Sequence, residues 1–230
     1  MIRAVFFDMY ETLCSHYRCP LYFGAQIADD WGVEASTFFR LWRDEALESA
    51  RTTGRLTLEA LLGLVAEDCG IPAGAEREKL IRLAAEKRRA VKQQCLHSLH
   101  PEILPMLWGL KARGIRLGLI SNCYREEAQV IRAWSEGECF DDMQLSCEQG
   151  IAKPDPRIFR QGMAALGVTP GECLYIGDGG SMELEAASTL GMHAMQAAWY
   201  LRDTAPSAIR QAFHPLESPM QVLRRLDAER

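Results

Sequence analysis

Hydrophobic and polar positions divide the chain into two regimes. In the first, short strand-like segments recur over 3–7, 116–120, 142–146, 173–176 and 193–196, the third of them the least apolar. Runs of this length, bounded by turn residues, read as buried strands. Between them, 101–113, 125–135, 156–166 and 182–190 carry apolar residues at helical spacing, and Gly114 and Gly191 precede the next strands as stops. Strands alternating with helices predict an α/β fold, a doubly wound parallel sheet covered on both faces.

The second regime, residues 16–98, contains no strand pattern. Helical spacing runs over 21–31, 35–50, 57–69 and 75–94, with Ser36 and Thr57 placed as N-caps and Gly54, Gly70, Pro72 and Gly74 punctuating the turns. The expected organisation is an α/β core over 1–15 and 99–230 with an all-helical cap over 16–98. An insertion directly after the first strand would lie over the carboxyl ends of the strands, where a lid belongs.

Composition narrows the function. The 230 residues are 48% hydrophobic and 25% charged, with a net charge of −5, which argues against general affinity for nucleic acid. The basic run Lys87-Arg88-Arg89 is too short for a binding tail and reads as a solvated helix face. No apolar stretch is long enough to cross a membrane, and residues 2–7 are too short for a secretion signal. Eight cysteines occur without a Cys-x-x-Cys pair. They read as reduced thiols, several buried as small hydrophobes, in a cytoplasmic protein. Oligomeric state leaves no mark in the pattern.

Four polar motifs follow strand ends in order: Asp8-Met-Tyr-Glu-Thr12, Ser121-Asn122, Lys153-Pro154-Asp155 and Gly177-Asp178-Gly-Gly-Ser-Met-Glu183. In open α/β sheets ligands bind at the carboxyl ends of strands. A single Asp held there can be a nucleophile or a metal ligand. Taken singly, each motif has an ordinary reading as a turn, a loop or a surface lysine. Asn122 can orient a substrate or cap the helix that begins near Tyr124.

The ordered set resembles the haloacid dehalogenase superfamily of hydrolases, Rossmann-like in its core, with a helical cap inserted after the first motif. The resemblance covers essentially the whole chain. It implies that Asp8 attacks the substrate and forms a covalent aspartyl intermediate. Thr12 and Ser121 would donate to the substrate's anionic oxygens, with Asn122 beside them, and Lys153 would supply fixed positive charge. Asp178 would join Asp8 in holding Mg²⁺, with the carbonyl of Tyr10 as a third ligand and Glu183 acting through water or from outside the ligand set. The substrate would be a small molecule.

Two positions pull apart. Phosphatases of this superfamily carry an Asp where this chain has Tyr10, and a phenol is a poor general base near neutral pH. Tyr here looks like the 2-haloacid dehalogenase branch, whose halide leaves without a proton. Gly177-Asp178 with Glu183 instead looks like the metal-binding motif of phosphatases. The leading expectation is a Mg²⁺-dependent phosphatase acting on a small phosphorylated metabolite. Carbon–halogen hydrolysis of a 2-halo acid is the second reading, and a binding or regulatory protein on this scaffold the third. In the cap, Arg18, Arg43, Arg51 and Arg55 read as solvated arginines, and the aromatic group around Phe38 reads as lid core. No histidine shows metal-ligand spacing, so none receives a role.

Overall fold

The computed structural model describes residues 1–228; Glu229 and Arg230, which the expected core span includes, lie outside the described residues. Five strands, β1 (Ala4–Phe7), β2 (Arg116–Ser121), β3 (Asp142–Leu145), β4 (Cys173–Gly177) and β5 (His193–Gln196), form one parallel sheet in the order β3-β2-β1-β4-β5. The helices in chain order are α1 (Gly24–Trp31), α2 (Ala35–Trp42), α3 (Glu45–Thr52), α4 (Leu58–Asp68), α5 (Ala75–His97), α6 (Ile103–Ala112), α7 (Arg125–Arg132), α8 (Ser146–Gln149), α9 (Pro156–Leu166), α10 (Glu183–Thr189), α11 (Leu201–Thr204) and α12 (Gln221–Ala228). The doubly wound α/β reading therefore holds.

β1 is fully buried because successive side chains leave opposite faces of a strand. Val5 and Phe7 enter the apolar layer that contains Leu107, Leu117 and Leu119. Ala4 and Phe6 enter the layer of Phe159, Tyr175 and Leu184 on the other face. The register pairs Phe6 with Gly118 on β2. A Cβ on Gly118 would lie 2.2 Å from the Phe6 ring, so the glycine is what lets this ring fill the layer.

Helices α1–α5 surround their own apolar cluster of Ile27, Phe38, Leu58, Leu61, Leu62 and Val65, with Trp31, Phe39 and Trp42 packed against it. Thr57 caps α4 by accepting from the Ala60 amide at 3.2 Å. Two expectations are corrected. Glu34, not Ser36, occupies the N-cap of α2, and Ser36 lies inside the helix. The helix expected over 35–50 is two helices, because the Asp44 carboxylate takes the Leu47 amide at 2.9 Å and starts α3 afresh. The module rests on residues that directly follow β2 and β3. Ser146 Oγ donates to the Thr52 carbonyl at 2.8 Å, and Arg125 donates to the Gly54 carbonyl. The helical module thus lies over the carboxyl ends of those strands.

Gly118→Ala is expected to destabilise the fold by about 1–3 kcal/mol, the usual cost of overpacking a core. The value would be read from urea denaturation at unchanged m.

Candidate active site

The Asp8 amide donates to the Ile176 carbonyl at 2.9 Å, so β1 delivers the carboxylate at its very end. β2 ends in Ser121, and Asp178 follows β4 directly. Lys153 arrives from the turn between α8 and α9. Its ammonium donates to Asp8 Oδ1 at 2.6 Å, to Glu183 Oε2, and lies 3.2 Å from Tyr175 Oη. Tyr175 donates to the same Glu183 oxygen at 2.7 Å, and the Gly179 amide donates to the other at 3.1 Å. A Cβ on Gly177 would stand 1.9 Å from Glu183 Oε1. Gly177 therefore lets Glu183 fold back under the strand end.

Asp8, Asp178 and Glu183 bring carboxylate oxygens within 4.8 Å of one another. Burial pushes Asp8 up to about 8, with Glu183 and Asp178 adding to the rise and Lys153 opposing it. Burial and the Glu183 charge raise Asp178 to about 6. Burial alone would lower the Lys153 ammonium, but the Asp8 and Glu183 charges beside it hold it above its ordinary value. Three clustered carboxylates are the donor set of a hard divalent cation.

Two buried hydroxyls of the first and second motifs, Thr12 Oγ1 and Ser121 Oγ, have no hydrogen-bond partner. The Thr12 backbone is held by Trp199 Nε1, which donates to its carbonyl at 2.8 Å. Asn122 does not cap α7, whose N-cap is Tyr124. Its amide instead donates to the Lys153 carbonyl at 2.9 Å and to Ser181 Oγ at 3.2 Å, and its oxygen accepts from the Lys153 amide at 2.7 Å. Asn122 thus straps the second, third and fourth motifs together. Glu183, read as acting through water or from outside the ligand set, is bonded to Lys153, Tyr175 and the Gly179 amide.

The Tyr10 ring stacks on His16 with centroids 4.3 Å apart and planes 16° apart, and Lys92 Nζ lies 4.6 Å from its centroid. Burial holds this phenol well above its ordinary value, so it does not act as a base near neutral pH.

Around Tyr10 lies a buried charge layer that the sequence reading missed. Arg51, read as solvated, is 2% exposed and its Nη2 meets Glu126 Oε1 at 3.1 Å. Its guanidinium lies 3.7 Å from the Tyr124 ring centroid. Lys92 Nζ meets Glu127 Oε1 at 2.6 Å and also contacts His16 Nε2, and Arg88 Nε lies 4.0 Å from Glu126. Three cations of the helical module therefore face two carboxylates at the start of α7. Arg18, Arg43 and Arg55 are exposed, as expected. The adjacent pair Glu126-Glu127 in a first helical turn looks like an ordinary helix-dipole pattern, so only the fold reveals its partners. Glu11 sits at φ 56°, a left-handed backbone unusual for this residue. Its carboxylate is tied down by Ser15 Oγ at 2.7 Å and the His16 amide at 2.9 Å.

A buried carboxylate at the end of the central parallel strand, a lysine bonded to it and polar motifs from the two neighbouring strand ends, β2 and β4, thus meet at the sheet edge where open α/β sheets bind ligands. The family model for haloacid dehalogenase-like hydrolases matches residues 2–191, and the chain belongs to this family. A phosphoserine phosphatase from Thermus thermophilus is 28% identical over 69% of this chain and 71% of its own length. An (S)-2-haloacid dehalogenase 4A from Burkholderia cepacia is 26% identical over 85% of this chain and 82% of its own length. Two further relatives, a haloacid dehalogenase-like hydrolase domain-containing protein 3 from Mus musculus and a glyceraldehyde 3-phosphate phosphatase from Methanopyrus kandleri, are matched over only 49% and 40% of their own length. Among solved structures, a 2-haloacid dehalogenase from Pseudomonas syringae superposes over the full length of both chains with a TM-score of 0.71 at 22% identity, a likeness of fold. The relatives thus include both phosphatases and dehalogenases.

The charge layer yields a prediction. Burial alone would raise Glu127, but Lys92 above all, with Arg88 and His16, holds it below its ordinary value. Glu126 is raised, by burial and by Glu127. A carboxyl held low in the fold contributes stability above its unfolded value of about 4.3 that is lost as pH falls through the folded value. Glu126 has the opposite sign and favours the fold only while protonated. Near neutral pH, Glu127→Gln is expected to cost about 3–5 kcal/mol, the range for breaking a buried ion pair. Glu126→Gln should cost clearly less. Urea denaturation repeated near pH 4 should find the gap between Glu127→Gln and the parent narrowed.

Proposed function

We propose that the chain is a Mg²⁺-dependent phosphohydrolase that works through an aspartyl intermediate on Asp8. The observation that carries this reading is the charge count of the buried cluster. Three carboxylates, Asp8, Asp178 and Glu183, face one ammonium, Lys153. When all are ionised, two negative charges stay uncompensated, which suits a divalent cation. Asp8 and Asp178 would hold the ion with the Tyr10 carbonyl, and Glu183, already bonded to Lys153, would contribute its charge. Bound there, Mg²⁺ would offset the negative charge of carboxylate and phosphoryl group alike.

The remaining work falls to the chain's own residues. Lys153 holds Asp8 Oδ1 and so aims the carboxylate, whose oxygen attacks phosphorus and displaces the alkoxide or a better leaving group. Thr12 and Ser121 carry buried hydroxyls without partners, suited to donate to the phosphoryl oxygens as they gather charge. Asn122 keeps Lys153 in register with the strand end that bears Ser121. Water then cleaves the acyl phosphate and regenerates Asp8. Tyr10 contributes no general acid or base, so substrates with acidic leaving groups, such as acyl or aryl phosphates, fit best.

A second reading, carbon–halogen hydrolysis, is favoured by one observation: Tyr10 stands where phosphatases of the family carry an acid. One assay separates the two, scoring phosphate and halide release with and without Mg²⁺. Phosphate release that chelation abolishes and Mg²⁺ restores is expected, with Asp8→Asn inactive and still folded. Halide release from a 2-halo acid at full speed under chelation would overturn the phosphatase reading. Tyr10→Asp should speed alkyl phosphates relative to aryl phosphates, toward the roughly 10²–10⁴-fold that general acid–base help provides. Thermal stability measured beside the rates controls for loss of the His16 stack.

A further inference from the structure

The chain crosses between sheet and helical module twice, once after Cys14 and once after α5. Two features tie these crossings to each other. On the sheet side, Tyr200 Oη donates to the Leu13 carbonyl at 3.2 Å and accepts from the His100 amide at 2.8 Å, so one phenol holds both crossings. On the module side, Cys19 Sγ lies 2.7 Å from Cys95 Sγ, although the two residues are 76 positions apart. Cys19 belongs to the outgoing crossing and Cys95 to the last turn of α5, just before the chain returns.

We propose that Cys19 and Cys95 form a redox-active dithiol whose oxidation to a disulfide staples the two crossings and restrains the helical module over the site. The sulfurs need to approach by only about 0.7 Å to reach the bonded distance of about 2.0 Å. The two thiols are unequally exposed. Cys19 is half-buried, whereas Cys95 is fully buried. Burial and the neighbouring Cys19 push the Cys95 thiol well up, so it is the poorer first nucleophile. With hydrogen peroxide as oxidant, the Cys19 thiolate attacks one peroxide oxygen. The O–O bond breaks, hydroxide takes up the thiol proton and leaves as water, and Cys19 becomes a sulfenic acid. Cys95 sulfur then attacks Cys19 sulfur, and the hydroxyl leaves with the Cys95 proton as a second water. Two thiols and one peroxide become one disulfide and two waters.

The consequence follows from where the link sits. Asp8 and Lys153 are buried, and the module meets the start of α7, just after β2, through charged pairs, a surface that water can reclaim when the two part. Joining both crossings on the module side leaves them unable to separate or slide, which slows that parting. Cys123 and Cys147, at 3.9 Å, are an internal control: both are buried, and both lie on the sheet side. The proposal does not depend on the reaction the site performs.

The test uses the full reduced chain treated with hydrogen peroxide in molar excess, alkylated, digested and analysed by mass. The expected result is a Cys19–Cys95 linked peptide, lighter by two hydrogens, while Cys123 and Cys147 remain open to alkylation. Hydrogen exchange at the amides of α5 and α7 should slow in the oxidised protein and recover with dithiothreitol. Cys19→Ser and, separately, Cys95→Ser should abolish both effects; Cys19→Ser, at the more exposed position, is the variant expected to fold without disturbance. Absence of the linked peptide under peroxide excess, whichever other thiol reacts, overturns the proposal. So does a linked protein whose exchange at α5 and α7 matches the reduced form.

Discussion

The Lys153 ammonium is the interaction around which the site is built. It is almost wholly buried and bonded at once to Asp8 and Glu183. A buried ammonium costs several kcal/mol in lost hydration unless charge and hydrogen bonds replace the water. Here two carboxylates and the Tyr175 hydroxyl do so. The arrangement then constrains its surroundings. Glu183 must reach back under β4, which requires Gly177 to lack a side chain. Lys153 must leave its turn at the right height, and Asn122 bonds both its amide and its carbonyl to set that height.

The boundary between module and sheet follows a related logic with the opposite balance. Arg51, Arg88 and Lys92 bring three positive charges against Glu126 and Glu127, with Arg51 Nε and Arg88 Nε having no hydrogen-bond partner at bonding distance. Each module cation lies against an aromatic face, Trp42, Tyr124 or Tyr10. Such contacts replace part of the lost hydration without a compensating charge. The carboxylate-rich cluster and the cation-rich boundary thus carry charge imbalances of opposite sign.

Tyr10 ties the two regions together. It follows Asp8 by two residues, yet its ring belongs to the boundary, stacked on His16 and covered by Lys92. The residue that would deliver an acid in a phosphatase here packs one half of the molecule against the other. Glu11 next to it holds a left-handed backbone, secured by Ser15 and His16. The loop after β1 therefore links the buried carboxylate cluster to the boundary with the helical module.

The sequence by itself determined the sheet, its parallel sense and the interruption by helices, because those follow from local period: Val5 and Phe7 must face one way, Ala4 and Phe6 the other. It also marked Asp8, Thr12, Ser121, Lys153, Asp178 and Glu183 as candidates, through four short motifs whose order along the chain resembles that of the family. It did not reveal that Asn122 is a strap, that Asp44 divides one helix into two, or that Arg51 is buried. A strap needs its partner's position, and Lys153 is 31 residues away. Arg51 meets Glu126 across 75 residues, and nothing in the local spacing of α3 distinguishes it from the solvated Arg43 and Arg55. Charges acquire meaning from what faces them, and only tertiary structure decides which charges face each other.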